Sequence, residues 1–285
     1  MRPPGRWSSL LFASLLLPAC SAGDEPRGDS IKAGPTEVPK GVGSGTEPLM
    51  VPAGDPFLGF YENAPSASDI ALTFDDGPDD GGYTDSILDT LKNKGVHATF
   101  FINTNNAIDV NASSEGRNTV ERIVREGHHI GNHTVHHEDL ADPATDVEAE
   151  LDGVQRTLNA LVPSGLAQRL VRAPYGSPYF GPESRLAFVS PVLARYGVHI
   201  GWNIDSNDWD CQASSSTPES CITSNVLAPV DEGKSGIVLL HSIHPATAAV
   251  LPELIDALRS RGKRFITVEE LVVAKYGIGS RFLVH

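Results

Sequence analysis

The stretch "ALTFDDGPDD" (residues 71–80) decides how the rest of the chain is read. The apolar run from Asp69 to Phe74 has the pattern of a buried strand, and it ends in two adjacent carboxylates, Gly-Pro and two more acids. Like charges crowd at a strand end when a cation faces them. Asp75 and Asp76 are therefore candidates to face a metal ion and the water it activates.

Working outward, similar runs recur at Val96 to Ile102, His128 to Gly131, Leu170 to Arg172, Val198 to Asn203, Gly236 to His241 and Phe265 to Thr267, which makes seven candidate strands. Helical signals lie between them. Thr84 reads as an N-cap for a helix with Ile87, Leu88 and Leu91 on one face and Gly95 past its end; a second helix runs from Thr119 to Glu126. The clearest is the stripe Val147, Leu151, Val154, Leu158 and Leu161, ended by Pro163. Strand and helix in alternation predict an α/β fold with a parallel sheet covered by helices, and seven units predict closure into a barrel.

The side chains with chemistry fall at one end of that frame. Asp75 and Asp76 follow the first strand, His133 and His137 the third, and Asp205 and Asp208 the fifth, while Arg172 ends the fourth and His241 the sixth. In a parallel α/β barrel the carboxyl ends of the strands form the face where active sites assemble. "HHIGNHTVHH" adds His128, His129 and His136 to the pair. His133 and His137 point the same way if the backbone turns helically after Thr134. With one carboxylate they form a two-His, one-Asp set that leaves coordination positions open, and spacing alone leaves a solvated histidine patch as the alternative.

The five segments "TFDDGP", "HTVHH", "RAPYG", "DSNDW" and "VLLH", in this order, resemble the motifs of the NodB-like polysaccharide deacetylases, carbohydrate esterase family 4. The likeness spans residues 69 to about 272. It implies a distorted (β/α)7 barrel and a divalent metal, zinc by default with cobalt or nickel as options, held by Asp76, His133 and His137. It implies Asp75 as general base paired with Arg172, and His241 as general acid tuned by Asp205. Trp209 and Leu239 then wall a pocket for the acetyl methyl group, and the Tyr175 N–H donates to the oxyanion. The implied activity is removal of N-acetyl groups from N-acetylglucosamine-containing polysaccharide such as peptidoglycan, chitin oligomers or an exopolysaccharide. Removal of O-acetyl groups from xylan-type glycans by the same residues stays open, as does a non-catalytic glycan-binding lipoprotein. A metalloprotease would show H-E-x-x-H on a helix, which this sequence lacks. The segment "NTNNAIDVNASSEGRNT" after the second strand is longer than the resemblance leads one to expect and is a candidate to reshape the groove.

The ends and the charge set the context. Arg2 and Arg6 precede an apolar stretch, Leu10 to Leu17, too short to span a bilayer, and "LLLPAC" resembles a lipoprotein signal in which Cys20 is lipidated; a plainly cleaved signal is the alternative. Residues 21–56 read as a Gly, Pro and Ser-rich tether and 57–285 as the catalytic domain. The expected address is the bacterial cell envelope, with membrane attachment only through the lipid. With 22 Lys+Arg against 36 Asp+Glu, a net charge of -14, nucleic acid is excluded as a partner, and a monomer is expected. Cys211 and Cys221 lack C-x-x-C spacing and, in an exported chain, read as a disulfide stabilising by about 3 kcal/mol, with two free thiols as the alternative.

Overall fold

The structure is a computed structural model that describes residues 55–60, 62–162 and 168–284. The signal-like residues 1–20 with Cys20, all but the end of the tether, and Pro163 lie outside the described residues. The described strands are β1 (Phe57–Leu58), β2 (Asp69–Asp75), β3 (Thr99–Ile102), β4 (His129–Asn132), β5 (Leu170–Val171), β6 (Val198–Ile200), β7 (Ile204–Asp205), β8 (Gly236–His241) and β9 (Arg264–Phe265). They form one parallel sheet in the order β1-β6-β5-β4-β3-β2-β8-β7, with β9 beside the start of β2. The sheet curls into a distorted barrel.

Each of the seven expected runs carries a strand, but the fifth, Val198 to Asn203, keeps only β6 at its start, and the seventh shares only Phe265 with β9. Strand β6 pairs with β5 and β1, and just past the expected run a further short strand, β7, pairs with β8 on the opposite side of the barrel. Between them Gly201 N–H bonds Leu58 C=O at 2.8 Å and Asn203 N–H bonds Ile237 C=O at 3.1 Å. One run of chain thus crosses the seam of the barrel. Strand β1 is an addition to the expected set, because two residues carry no periodicity for a pattern to register.

Both faces of the sheet are buried, as parallel strands require. In β2, Ile70, Leu72 and Phe74 face the helices, while Ala71 packs in the second apolar cluster, inside the curl. Period-2 geometry sends Thr73 and Asp75 to that inner side as well. In β8, Val238 and Leu240 face out and Ile237 and Leu239 face in. The inner face of β4 carries Gly131 because Phe101 leaves no room: a Cβ there would lie 2.4 Å from the Phe101 ring.

The helices that matter for the site are α1 (Tyr83–Lys94), α2 (Ser114–Arg125), α3 (Val147–Leu161), α4 (Glu183–Ala194), α5 (Asp208–Ser214), α6 (Pro218–Asp231), α7 (Pro245–Ser260) and α8 (Val268–Tyr276). Thr84 is not the N-cap of α1. Asp79 reaches forward to accept Tyr83 N–H at 3.0 Å and Thr84 N–H at 2.8 Å, and Thr84 is buried inside the helix. Helix α2 starts earlier than Thr119, at a Ser113 cap that accepts Gly116 N–H at 3.1 Å; its first turn is polar and leaves no apolar stripe to read. Cys211 and Cys221 form a disulfide that joins α5 to α6.

Gly131→Ala is expected to lower stability by about 1–3 kcal/mol, read as a lower urea midpoint. The Phe101 ring cannot retreat, because the Arg172 guanidinium lies 4.2 Å from its centroid.

Candidate active site

Adjacent strand residues point to opposite sides, so two consecutive aspartates at the end of β2 would ordinarily diverge. A tight turn prevents this. Asp76 adopts φ 74°, and Gly77 N–H bonds back to Asp75 C=O at 3.0 Å. The left-handed conformation of a non-glycine residue costs on the order of 1 kcal/mol or more and swings the second carboxylate to the same mouth as the first.

The histidines arrive on a loop, not on the helical turn expected after Thr134. Thr134 and His137 both have positive φ, 72° and 60°, and the loop is closed by Thr134 Oγ1 accepting His137 N–H at 3.1 Å. The long segment after β3 braces it. Asn103 donates its side-chain amide to Thr134 C=O at 3.0 Å, and Asn105 N–H bonds Val135 C=O at 2.9 Å. Of the five neighbouring histidines only His133 and His137 join the site. His136 turns away to Glu150 on α3, at 2.7 Å, and His128 lies at the opposite end of β4, where burial drives its ring down to about 4.

Asp76, His133 and His137 each offer one ligand atom, all within 4.8 Å of one another. The donor set fits a divalent cation for two reasons. His133 Nδ1 lies 2.7 Å from the Arg172 carbonyl, which can only accept, so Nδ1 holds the proton and Nε2 presents a lone pair. Asp76 Oδ1 then sits 3.5 Å from that lone pair and 3.1 Å from His137 Nε2, buried and without a hydrogen bond. Burial drives His137 down to about 4, so it is a neutral ligand at neutral pH. A cation satisfies all three atoms.

Arg172 is 1% exposed and stands under this cluster. Its guanidinium donates to Asp75 Oδ1 at 2.7 Å, Thr73 Oγ1 at 2.9 Å, and the Ile200 and Gly201 carbonyls at 3.1 Å each. Phe101 and Trp202 flank it, with ring centroids 4.2 and 5.6 Å away. Asp75 is left with Oδ2 turned toward the cluster, 3.6 Å from His133 Nε2.

On the far side, register sets His241 of β8 directly beside Asp75 of β2. The carboxylate that touches its ring is Asp208, at 2.6 Å from Nδ1, and not Asp205. Asp205 pairs in register with Leu239, one inward step short of His241, and accepts from Trp202 Nε1 at 3.1 Å and Asn207 N–H at 2.8 Å. Asp208 opens α5, above the strand ends and level with His241; the usable signal was its position at the start of the helix after the strand. Burial alone would lower His241, but Asp208, followed by Asp76 and Asp75, raises it to about 10. Trp209 follows Asp208 and is half-buried, and Leu239 lies on the inner face of β8. Tyr175, at φ 59° in a single turn, sets its hydroxyl 3.0 Å from His137 Nδ1.

A curled parallel sheet with a carboxylate and imidazole cluster at its carboxyl end is an α/β barrel with a candidate metal centre on the face where such barrels assemble their chemistry. The polysaccharide deacetylase family model matches residues 62–200. The chain is 33% identical over 215 residues to the peptidoglycan-N-acetylglucosamine deacetylase PgdA of Listeria monocytogenes, covering 75% of this chain and 41% of that protein. It therefore spans well under half the length of that relative. It is 34% identical over 225 residues to a chitin deacetylase of Colletotrichum lindemuthianum, covering 78% of this chain and 84% of that one. The solved structure of the C. lindemuthianum chitin deacetylase overlays with a TM-score of 0.62 at 29% identity, over 82% of this chain and 98% of the other. This chain belongs to the polysaccharide deacetylase family, and its fold is the NodB-type (β/α)7 barrel.

Arg172→Met is expected to destabilise the fold by about 3–5 kcal/mol in urea titration, because it strands a buried carboxylate. The double variant Arg172→Met, Asp75→Asn is expected to recover only part of that loss, because the Ile200 and Gly201 carbonyls still lack their donor.

Proposed function

We propose that this chain is a metal-dependent deacetylase that hydrolyses N-acetyl groups on N-acetylglucosamine-containing polysaccharide. The observation that carries the reading is the β2–β8 register, Asp75 opposite His241, which sets a carboxylate and a protonated imidazole on adjacent strands beside the Asp76, His133 and His137 cluster. Amide hydrolysis needs a base for the attacking water and an acid for the departing amine, and these two neighbours supply one of each.

Asp76, His133 and His137 would hold the metal, zinc in the first instance with cobalt or nickel as options, and a divalent cation there lowers the pKa of water and polarises the acetyl carbonyl. Asp75, fixed by Arg172 with one oxygen turned to the cluster, takes the proton from the attacking water. The Tyr175 N–H is the donor assigned to the oxyanion, since Pro174 has none to give. His241, holding its proton through Asp208, delivers it from Nε2 to the leaving nitrogen. Trp209 and Leu239 are assigned to the wall around the acetyl methyl group. Asp205, displaced from the acid, serves to orient Trp202 against Arg172.

The names of the two relatives support an N-acetylglucosamine polymer as substrate. The signal-like segment and Cys20 support an envelope address, which favours peptidoglycan. Among the described residues no helix is long and apolar enough to cross a membrane.

The test is acetate release by the full chain, loaded with zinc or cobalt, from chito-oligosaccharides, peptidoglycan and acetylxylan. Release from the first two is expected, lost on metal removal. Asp75→Asn should still bind metal by calorimetry yet lose about 10²–10⁴ in turnover. Stoichiometric metal binding with no acetate from any substrate would overturn the reading, and release from acetylxylan alone would replace it with O-deacetylation.

The pH profile gives a second check. An acid works while protonated, so activity falls as pH rises through the His241 pKa. Asp208→Asn removes the charge that raises that pKa, and the alkaline limb of kcat is expected to move to lower pH.

A further inference from the structure

Asp208 is fully buried, and its two carboxylate oxygens take four donors. His241 Nδ1 and Trp209 N–H reach Oδ1 at 2.6 and 3.1 Å, and His241 N–H and the Thr247 hydroxyl reach Oδ2 at 2.7 and 2.6 Å. Three of these donors belong to the acid itself or to the residue next to Asp208. Thr247 is the exception. It lies in the first turn of α7 with 0% exposure, and no role in the proposed chemistry has so far required it.

A threonine inside a helix ordinarily turns its hydroxyl back to a carbonyl of the preceding turn. Here it leaves the helix and donates to a carboxylate that arrives on α5. The proton shared by His241 and Asp208 has two places to sit, giving an imidazolium beside a carboxylate or an imidazole beside a carboxylic acid. Burial favours the second arrangement, since desolvation penalises both charges. Every donor to the carboxylate favours the first. A hydroxyl on Oδ2 also stops the carboxylate from rotating, which keeps Oδ1 aligned on His241 Nδ1.

We infer that Thr247 is a positioning residue for the general acid: by donating to Asp208 it keeps the shared proton on His241 and the ring aimed, and so sets the rate of amine departure. The inference rests on the reading of His241 as the acid. The other charged or titratable groups facing His241 are Asp75 and Asp76 at the end of β2, Asp205 at the end of β7, His137 on the loop after β4, and His244 just before α7, with its ring centroid 5.7 Å away. Among the described residues Thr247 donates to none of these, so its removal acts through Asp208.

The experiment compares two substrates in the zinc-loaded full chain. A chito-oligosaccharide amide needs a proton on its leaving group, whereas 4-nitrophenyl acetate releases an anion stable without one. Thr247→Val is expected to lower kcat on the amide about tenfold or more, with KM and aryl acetate turnover changed by no more than roughly twofold. Thr247→Ser, which keeps the hydroxyl and loses the methyl, should restore amide turnover. Equal loss on both substrates, no rescue by serine, or failure of both Thr247→Val and Thr247→Ala to fold would assign the hydroxyl to stability and overturn the inference. His241→Asn separates the two readings. If it loses the amide selectively while Thr247→Val does not, the Thr247 inference fails alone; if it leaves the amide unaffected, the acid assignment fails with it.

Discussion

The buried ion pair between Arg172 and Asp75 is the constraint around which the molecule is organised. A guanidinium with 1% exposure persists only if nearly all its donors are used, and Arg172 spends them on a carboxylate, a threonine hydroxyl and two backbone carbonyls. Those carbonyls belong to Ile200 and Gly201, where the chain leaves β6 to cross the barrel seam. Carbonyls released from the sheet at that crossing need partners, and the arginine supplies them. The inner aromatic residues Phe101 and Trp202, the absence of a side chain at Gly131, and the distortion of the barrel all meet at this one side chain.

The same pair divides the work of two adjacent aspartates. Arg172 takes one oxygen of Asp75, and the left-handed turn at Asp76 sends the second carboxylate to the histidines. Backbone strain concentrates here: Asp76, Thr134, His137 and Tyr175 all hold positive φ, and all four side chains or their neighbours line the cluster. Strain of this kind survives where the surroundings over-determine it, and here the bracing by Asn103, Asn105 and Arg172 does so. One carbonyl, that of Arg172, also sets the tautomer of His133, so the residue that holds the base orients a metal ligand as well.

Much of this was legible before any coordinates. The seven strands announced themselves because parallel strands buried on both faces read as continuous apolar runs, and β2 and β8 are the plainest of these. Helix α3 was legible from its single apolar stripe, whose first residues, Val147 and Leu151, pack in one cluster and whose later ones, Val154 and Leu158, pack in the other. The parts that escaped were those whose cause is distant in sequence. The crossing at Gly201 to Asn203 depends on two different partners, β1 and β8, that no local pattern names. The cap of α1 comes from Asp79 and not from the threonine at the helix edge. The long segment after β3 braces the histidine loop through Asn103 and Asn105, contacts to a loop some thirty residues away that no local pattern names.

The sequence by itself determined the class of fold and the face on which the chemistry gathers, because periodicity and strand ends are local properties of the chain, while the choice of His133 and His137 among five neighbouring histidines came from the resemblance of its motifs. Only the tertiary structure decided which carboxylate serves which imidazole. Asp205 and Asp208 are indistinguishable by type and nearly so by position, and their difference is one of height. Strand register holds Asp205 at the level of Leu239, while the first turn of α5 lifts Asp208 to His241. Register between strands distant in sequence is set by the whole packed sheet, and hydrogen bonds of 2.6 Å are made by that alignment and by no motif.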